Sequence, residues 1–258
     1  MGTDRGAFRT PKRKNSGKAR GAEVNLRKLD ADTKEKFRAS DTTEWEAIVG
    51  TKAVRIVRAD QAHKIRRTHA DRILSSRMVR RLKPQPGIDV PPKAKSRWCV
   101  RGYEDPDTEE MQVYAPTPQT ESLMMMLQIV ASLGWDLTLA DAKNAFCQSD
   151  RLRREAGPIY VEPCEGLPLG PGELIELVAP VYGLNDAPVL WHRTLTTWLA
   201  EQGFEKSLLE PCLWVLRGTS HLPKAAILIE VDDLLIGASA KDTAILKEKL
   251  TSRFTFGK

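Results

Sequence analysis

A chain of 258 residues, 41% hydrophobic and 29% charged, can bury one large core or two small ones without disulfides or a cofactor to hold it. No stretch approaches the roughly 20 apolar residues of a spanning helix, and the basic start MGTDRGAFRTPKRKN has no apolar segment behind it, so neither a membrane partner nor a secretory signal is expected. The net charge of +6 is unevenly spread: residues 1–100 carry 26 Lys or Arg against 11 Asp or Glu, and the remainder 14 against 23. A basic front half ahead of an acidic body suggests a polyanionic partner met first by the front half. Cys99, Cys147, Cys164 and Cys212 are far apart and form no CxxC pair, which reads as isolated reduced thiols in an intracellular protein, cytoplasmic or nuclear. His63, His69, His192 and His221 show no metal-ligand spacing.

Residues 1–41 mix Lys, Arg, Gly, Ser and Asp with few large apolar side chains and read as a disordered basic arm. A short helix is expected around Glu44–Ala47. Alternation from Arg72 to Leu82 predicts a strand, Lys83–Pro92 a Pro- and Gly-rich connection, and Ser96–Val100 a second strand. Together they would make a basic hairpin facing a phosphate-bearing partner. Glu121–Leu133 has a helical pattern, with Leu123, Leu127, Val130 and Ala131 as its apolar face and Gly134 as its stop. Trp135, Leu137 and Leu139 then alternate as a half-buried strand that ends at Asp141. Pro188–Gln202 predicts another helix, packed through Trp191, Leu195, Trp198 and Leu199, with Asp186 as its cap and Gly203 as its end. Ala225–Ala238 reads as two short apolar strands joined through Asp232–Asp233, and a helix from Asp242 uses Leu246, Leu250 and Phe254. This order predicts an α+β fold, with helices behind an antiparallel sheet.

Paired aspartates on a turn are usually solvated caps. Here the pair tops a hairpin emerging from a core, and Asp141 ends a separate apolar strand. Phosphoryl transfer gives such an arrangement a use, because carboxylates from separate strands can hold two divalent ions about 3.5–4 Å apart. Asp141, Asp232 and Asp233 are therefore the candidate catalytic and metal-binding residues, for Mg²⁺ or alternatively Mn²⁺.

Several blocks in fixed order carry a resemblance over residues 42–258: SRMVRRLKP, KSRWCVRG, VYAPTP, ASLGWDLTLADAKNAF, YVEPCEG, VYGLNDAP followed by Trp191, QGFEKSLLEPCLW and IEVDD. With them the sequence resembles the reverse transcriptase domain of copia-type (Ty1/copia) long-terminal-repeat retrotransposon polyproteins. The resemblance implies a polymerase palm and fingers, incomplete before a full thumb. It also implies RNA-directed DNA polymerase activity, with a primed RNA or DNA template and deoxynucleoside triphosphates as partners.

Carried over by position, the resemblance makes Asp141 and Asp232 the main metal ligands and Asp233 their support. Phe146 matches the aromatic that excludes a 2′-hydroxyl. Lys95 and Arg97 match cations expected to meet the triphosphate or template, and Tyr182 and Gly183 lie in the YGL block near the nucleotide pocket. The sequence also departs from the family pattern. Glu230 stands where tyrosine is usual, Asn185, Asp186 and Val189 where lysine, glutamine and arginine are usual, and Met124 where arginine is common. These departures keep open two alternatives, a catalytically weak remnant that only binds nucleic acid and a purely structural domain.

Overall fold

The computed structural model describes residues 23–87, 90–218 and 222–257. Its first long element is a 20-residue helix, α1 (Ala31–Gly50). Asp30 caps it by accepting from the Thr33 N–H at 2.9 Å, and Phe37, Asp41, Glu44, Trp45 and Ile48 form its buried stripe. Residues 31–41, which composition assigns to the disordered arm, are thus helical, and the helix predicted around Glu44–Ala47 is only its later part. The polar face of α1 hides the stripe from any reading by composition. Residues 1–22 of the expected arm lie outside the described residues.

β1 (Val54–Val57), α2 (Ala59–Thr68) and β2 (Ile73–Leu74) follow, then β3 (Ser76–Lys83) and β4 (Lys93–Val100). β3 and β4 pair antiparallel along their whole length, from Ser76 opposite Val100 to Lys83 opposite Lys93; this is the expected hairpin, except that its first strand begins at Ser76 rather than Arg72, because Ile73 and Leu74 pair with Tyr160 and Val161 in another sheet. Its period of two turns Met78, Ser96, Trp98 and Val100 inward, and Trp98 meets Trp45 of α1 edge to face at 5.5 Å. The other edge of β4 is not left bare. Ser40 Oγ accepts from the Ser96 N–H and the Tyr182 carbonyl from the Val100 N–H, each at 2.9 Å.

The chain continues through α3 (Thr120–Leu133), β5 (Asp136–Asp141), a 3₁₀ turn at Ala145–Gln148, β6 (Tyr160–Val161) and β7 (Leu174–Leu177). It ends with α4 (Ala187–Glu201), β8 (Phe204–Lys206), β9 (Leu213–Arg217), β10 (Pro223–Glu230), β11 (Asp233–Ala238) and α5 (Ala240–Arg253). Five antiparallel strands form the larger sheet in the order β5-β11-β10-β9-β8. β10 is buried on both faces, which explains its unbroken apolar run. Ile227 and Ile229 pack toward Trp191, Leu195 and Leu199 of α4 and Leu246 and Leu250 of α5, whereas Ala226 and Leu228 pack toward Met126 and Val130 of α3. Helices therefore cover both faces of the sheet, in the expected α+β class.

Three local expectations are corrected. α3 is rotated from the predicted face, because Ser122, Met126 and Val130 are buried while Leu127 and Ala131 are exposed. Its apolar residues run nearly all round, so periodicity alone leaves the buried side ambiguous. α5 begins at Ala240 rather than Asp242, capped by Ser239, whose Oγ accepts from the Asp242 N–H. Asp186 occupies the N-cap of α4 without capping it, because its carboxylate is drawn to Arg154 instead. A second, mixed sheet, β1-β7-β6-β2, escapes the sequence reading because strands of two to four residues hold too few alternations.

Candidate active site

The β10–β11 hairpin places the aspartate pair at its tip. Asp233 is the first residue of β11 and lies opposite Asp141, the last residue of β5, in the antiparallel register. The turn itself is unusual. Val231 adopts φ 53, a left-handed conformation that a β-branched residue rarely takes, and its carbonyl accepts from the Trp191 indole N–H at 2.8 Å. Asp232 is tied to the start of the next segment through its carbonyl, which accepts from the Ala142 N–H at 2.7 Å. The Asp141 carbonyl accepts from the Gly257 N–H, also at 2.7 Å. The backbone around all three aspartates is thereby fixed from two sides.

The three carboxylates have different surroundings. Asp141 and Asp233 are exposed, whereas Asp232 is half-buried and its Oδ1 is shielded from water without a hydrogen-bond partner. Burial pushes the Asp232 carboxyl above its usual range; Arg97 pulls it back, and the neighbouring charges of Asp141 and Asp233 add to the rise. Among the described residues no three His, Cys, Asp or Glu side chains form a ready metal cluster. The aspartates are thus neighbours in the fold but not a preformed cage. The orphaned Asp232 oxygen beside two like charges nevertheless has the chemistry of a site that suits a hard divalent cation.

Facing Asp232 is an aromatic and cationic wall. The Arg97 guanidinium carbon lies 4.2 Å from the centroid of the Tyr182 ring, and Phe146 packs against the same ring at 5.1 Å between centroids. Gly183 follows with φ 100, where a Cβ would fall 2.0 Å from the Val100 carbonyl oxygen, so a side chain there would separate the YGL segment from β4. Arg97 and Tyr182 therefore lie within the field of Asp232, with Phe146 packed on Tyr182 and Gly183 next to it in the chain. Lys95 stands two residues from Arg97 on the same exposed face of β4 and is not in that wall.

That exposed face carries more charge than Lys95 and Arg97 alone. Arg77, Arg81 and Lys83 of β3 alternate onto it, with Arg81 opposite Lys95 and Lys83 opposite Lys93. The signal was present in the period-two spacing of SRMVRRLK.

Sequence reasoning also missed Glu44. It is buried on α1, with one carboxylate oxygen unpartnered, and burial raises its pKa against the pull of Lys95, Arg97 and the Trp98 N–H. Because the folded-state pKa stands above the unfolded one, its favourable contribution is complete below the unfolded pKa and is lost as pH rises through the folded value. Glu44→Gln should therefore be at least as stable as the parent near pH 8, should lose that advantage as pH falls through the raised folded value, and should keep none of it below about 4.3, the ordinary glutamate value. Urea unfolding at both ends of this range is the measurement. A variant less stable than the parent near pH 8 would contradict the assignment.

The positions that depart from the family pattern have specific surroundings. Glu230 lies opposite Asp233 and lines with it a cavity of about 260 Å³ bordered by Leu123, Leu139 and Gln119. Asn185 donates to the Gly102 carbonyl at 3.1 Å. Asp186 is buried and paired with Arg154, so it is not part of a polyanion-facing surface. Val189 is half-buried on α4, and Met124 is exposed on α3. His63 and His69 are exposed and His192 half-buried, while His221 lies outside the described residues; all four cysteines are free thiols.

Residues 65–258 match the family model described as "Reverse transcriptase (RNA-dependent DNA polymerase)". The chain belongs to this reverse transcriptase family. It is 30% identical over 169 residues to the "Retrovirus-related Pol polyprotein from transposon RE2" of Arabidopsis thaliana, an alignment covering 62% of this chain and 11% of that protein. It is 29% identical over 164 residues to the "Retrovirus-related Pol polyprotein from transposon TNT 1-94" of Nicotiana tabacum, covering 62% and 12% respectively. The matched region is thus only 11–12% of the length of these relatives. The reverse transcriptase domain is accordingly related to those of plant Ty1/copia-type Pol polyproteins, and its α+β architecture is consistent with a palm and fingers. No helix among its described residues is long and apolar enough to cross a membrane.

Proposed function

We propose that this reverse transcriptase domain is an RNA-directed DNA polymerase that adds deoxynucleotides to a primer 3′-hydroxyl. The observation that carries this reading is Asp232, whose buried Oδ1 lacks a hydrogen-bond partner beside two further aspartates and within the field of Arg97. A carboxylate so placed is costly until a cation meets it. Asp141 and Asp232 would hold Mg²⁺ or Mn²⁺, with Asp233 in support. A divalent metal bound there supplies Lewis-acid polarisation of the phosphoryl group and eases ionisation of the attacking hydroxyl.

The surrounding residues have separate tasks in this reading. Arg97, braced on Tyr182, presents a fork to phosphate oxygens, and Lys95 adds a point charge for the triphosphate or template. Phe146, packed on Tyr182, occupies the space a 2′-hydroxyl would need and so selects deoxynucleotides. Gly183 lets the Tyr182 segment lie against β4, which keeps Tyr182 beneath Arg97.

Glu230 favours a second reading, a domain that binds primed template but adds nucleotides poorly. Its carboxylate beside Asp233 puts another negative charge where primer phosphates would approach. Primer extension on RNA and DNA templates, with Mg²⁺, Mn²⁺ or a chelator, separates the two. Metal-dependent elongation by the native chain is the expected result. Template binding without elongation would contradict it and give the second reading, and recovery of elongation in Glu230→Tyr would trace the defect to that residue.

A further inference from the structure

Beside the 3₁₀ turn, a cavity of about 560 Å³ opens between the C-terminus of α1, residues 143–151 and the end of α5. None of Asp141, Asp232, Asp233, Arg97, Phe146 or Tyr182 lines it. Its lining holds four cations from three stretches of the sequence, Lys52, Lys143, Arg151 and Arg253, and no carboxylate. Arg253 is paired with Asp150 at 3.2 Å, whereas Lys52, Lys143 and Arg151 form no salt bridge with any described carboxylate. Like charges gathered around one concavity repel one another unless an anion joins them.

The cavity floor is built rather than loose. The Gln148 side chain donates to the carbonyls of Lys143 at 2.7 Å and Thr255 at 2.9 Å, and its own oxygen accepts from the Thr255 N–H at 2.7 Å. Three hydrogen bonds from one side chain thus lock the Lys143 segment to the end of α5. Ser149, also in the lining, is 91% buried, and its Oγ has no hydrogen-bond partner. Lys52 is held at φ 62, a strained setting for a lysine, with its N–H donating to the Val49 carbonyl at 2.9 Å.

We propose that this cavity is a phosphate-binding site separate from the aspartate centre, and that its ligand is the sugar–phosphate backbone of a nucleic-acid strand outside the catalytic cleft. The volume falls within the ordinary range of ligand pockets, roughly 300–1,000 Å³. Arginine offers phosphate a bidentate fork and lysine a point charge, so the four cations suit a phosphodiester entering from solvent. The site needs no nucleotide addition, and its test is independent of whether the domain polymerises.

Fluorescence anisotropy of a labelled oligothymidylate against the full chain, without divalent metal or nucleotide, provides that test. Lys52→Gln combined with Arg151→Gln should weaken binding about tenfold at low salt. It should also flatten the slope of log K against log salt by about 1.4, since each lost phosphate contact on a single strand removes roughly 0.7. Lys143→Gln combined with Arg253→Gln should shift the slope in the same direction, and thermal melting verifies that both pairs fold. In a parallel arm, pyrophosphate is titrated and followed by phosphorus NMR line broadening. Broadening lost in the variants with an unchanged oligonucleotide slope would keep the phosphate site but make its ligand a free phosphate. An unchanged slope and unchanged broadening in both variants would overturn the proposal.

Discussion

Arg154→Ala is expected to destabilise the protein by about 3–5 kcal/mol, the cost of removing one partner from a buried ion network. Arg154 donates to both oxygens of Asp186, at 2.6 and 3.0 Å, and to Asp105 at 3.2 Å, and its Nε lies 3.6 Å from Asp107. Arg72 binds the other side of Asp107 at 2.8 and 3.0 Å and reaches the carbonyls of Gly157 and Pro158. Two guanidiniums thus hold three carboxylates together. Asp105 and Asp186 have side chains only 1% and 5% exposed, so neither can turn to water when Arg154 is lost. Burial already keeps the Asp105 carboxyl above its usual range despite Arg154. The network joins the start of α4, the 101–110 loop and the 150–158 loop beneath the YGL segment. At about 2–4 °C per kcal/mol for a chain near this size, the melting temperature should fall by roughly 10 °C. Thermal unfolding followed by circular dichroism measures this, and a fall of about 2 °C or less would mean that the network is worth no more than a surface pair.

Much of the palm was legible because its elements are long and their periods clear. β10 and β11 read as apolar strands on either side of an acidic turn, and α4 announced itself through Pro188 and Trp191. The β3–β4 hairpin was legible from alternation on both sides of a Pro- and Gly-rich link. The identities of Asp141, Asp232 and Asp233 came from their places at strand ends together with the order of the family's blocks. What stayed hidden depends on partners distant in sequence. By sequence Asp186 reads as the cap of α4, whereas in the fold Arg154, 32 residues earlier, claims its carboxylate. Glu44 gave no sign of sitting under the Lys95 and Arg97 strand, because nothing local marks a carboxylate as buried. The buried side of α3 is not legible locally, because the exposed Met124, Met125 and Leu127 leave no polar face to orient it. The cavity around Lys52, Lys143, Arg151 and Arg253 draws on three separate segments and has no local pattern at all.

Asp232→Asn should reduce nucleotide addition at least about 10³-fold, equivalent to roughly 4 kcal/mol of lost transition-state stabilisation. The amide keeps the shape of the side chain but cannot bring a negative charge to a divalent metal. The same change should not weaken the fold. In the parent, burial and the charges of Asp141 and Asp233 penalise the ionised Asp232 carboxylate in the absence of a cation, with only Arg97 in opposition. A neutral amide escapes that penalty, so the melting temperature without metal should stay level or rise. An ordinary core defect would lower both activity and stability, so the two readouts together identify a group that serves chemistry at the expense of the fold. The decisive measurement is single-turnover primer extension by parent and Asp232→Asn chains on one preformed primer–template with Mg²⁺, alongside metal-free melting. The account predicts extension by the parent, its loss in a variant that still binds the duplex, and no fall in melting temperature. Equal extension rates in the two proteins would contradict it.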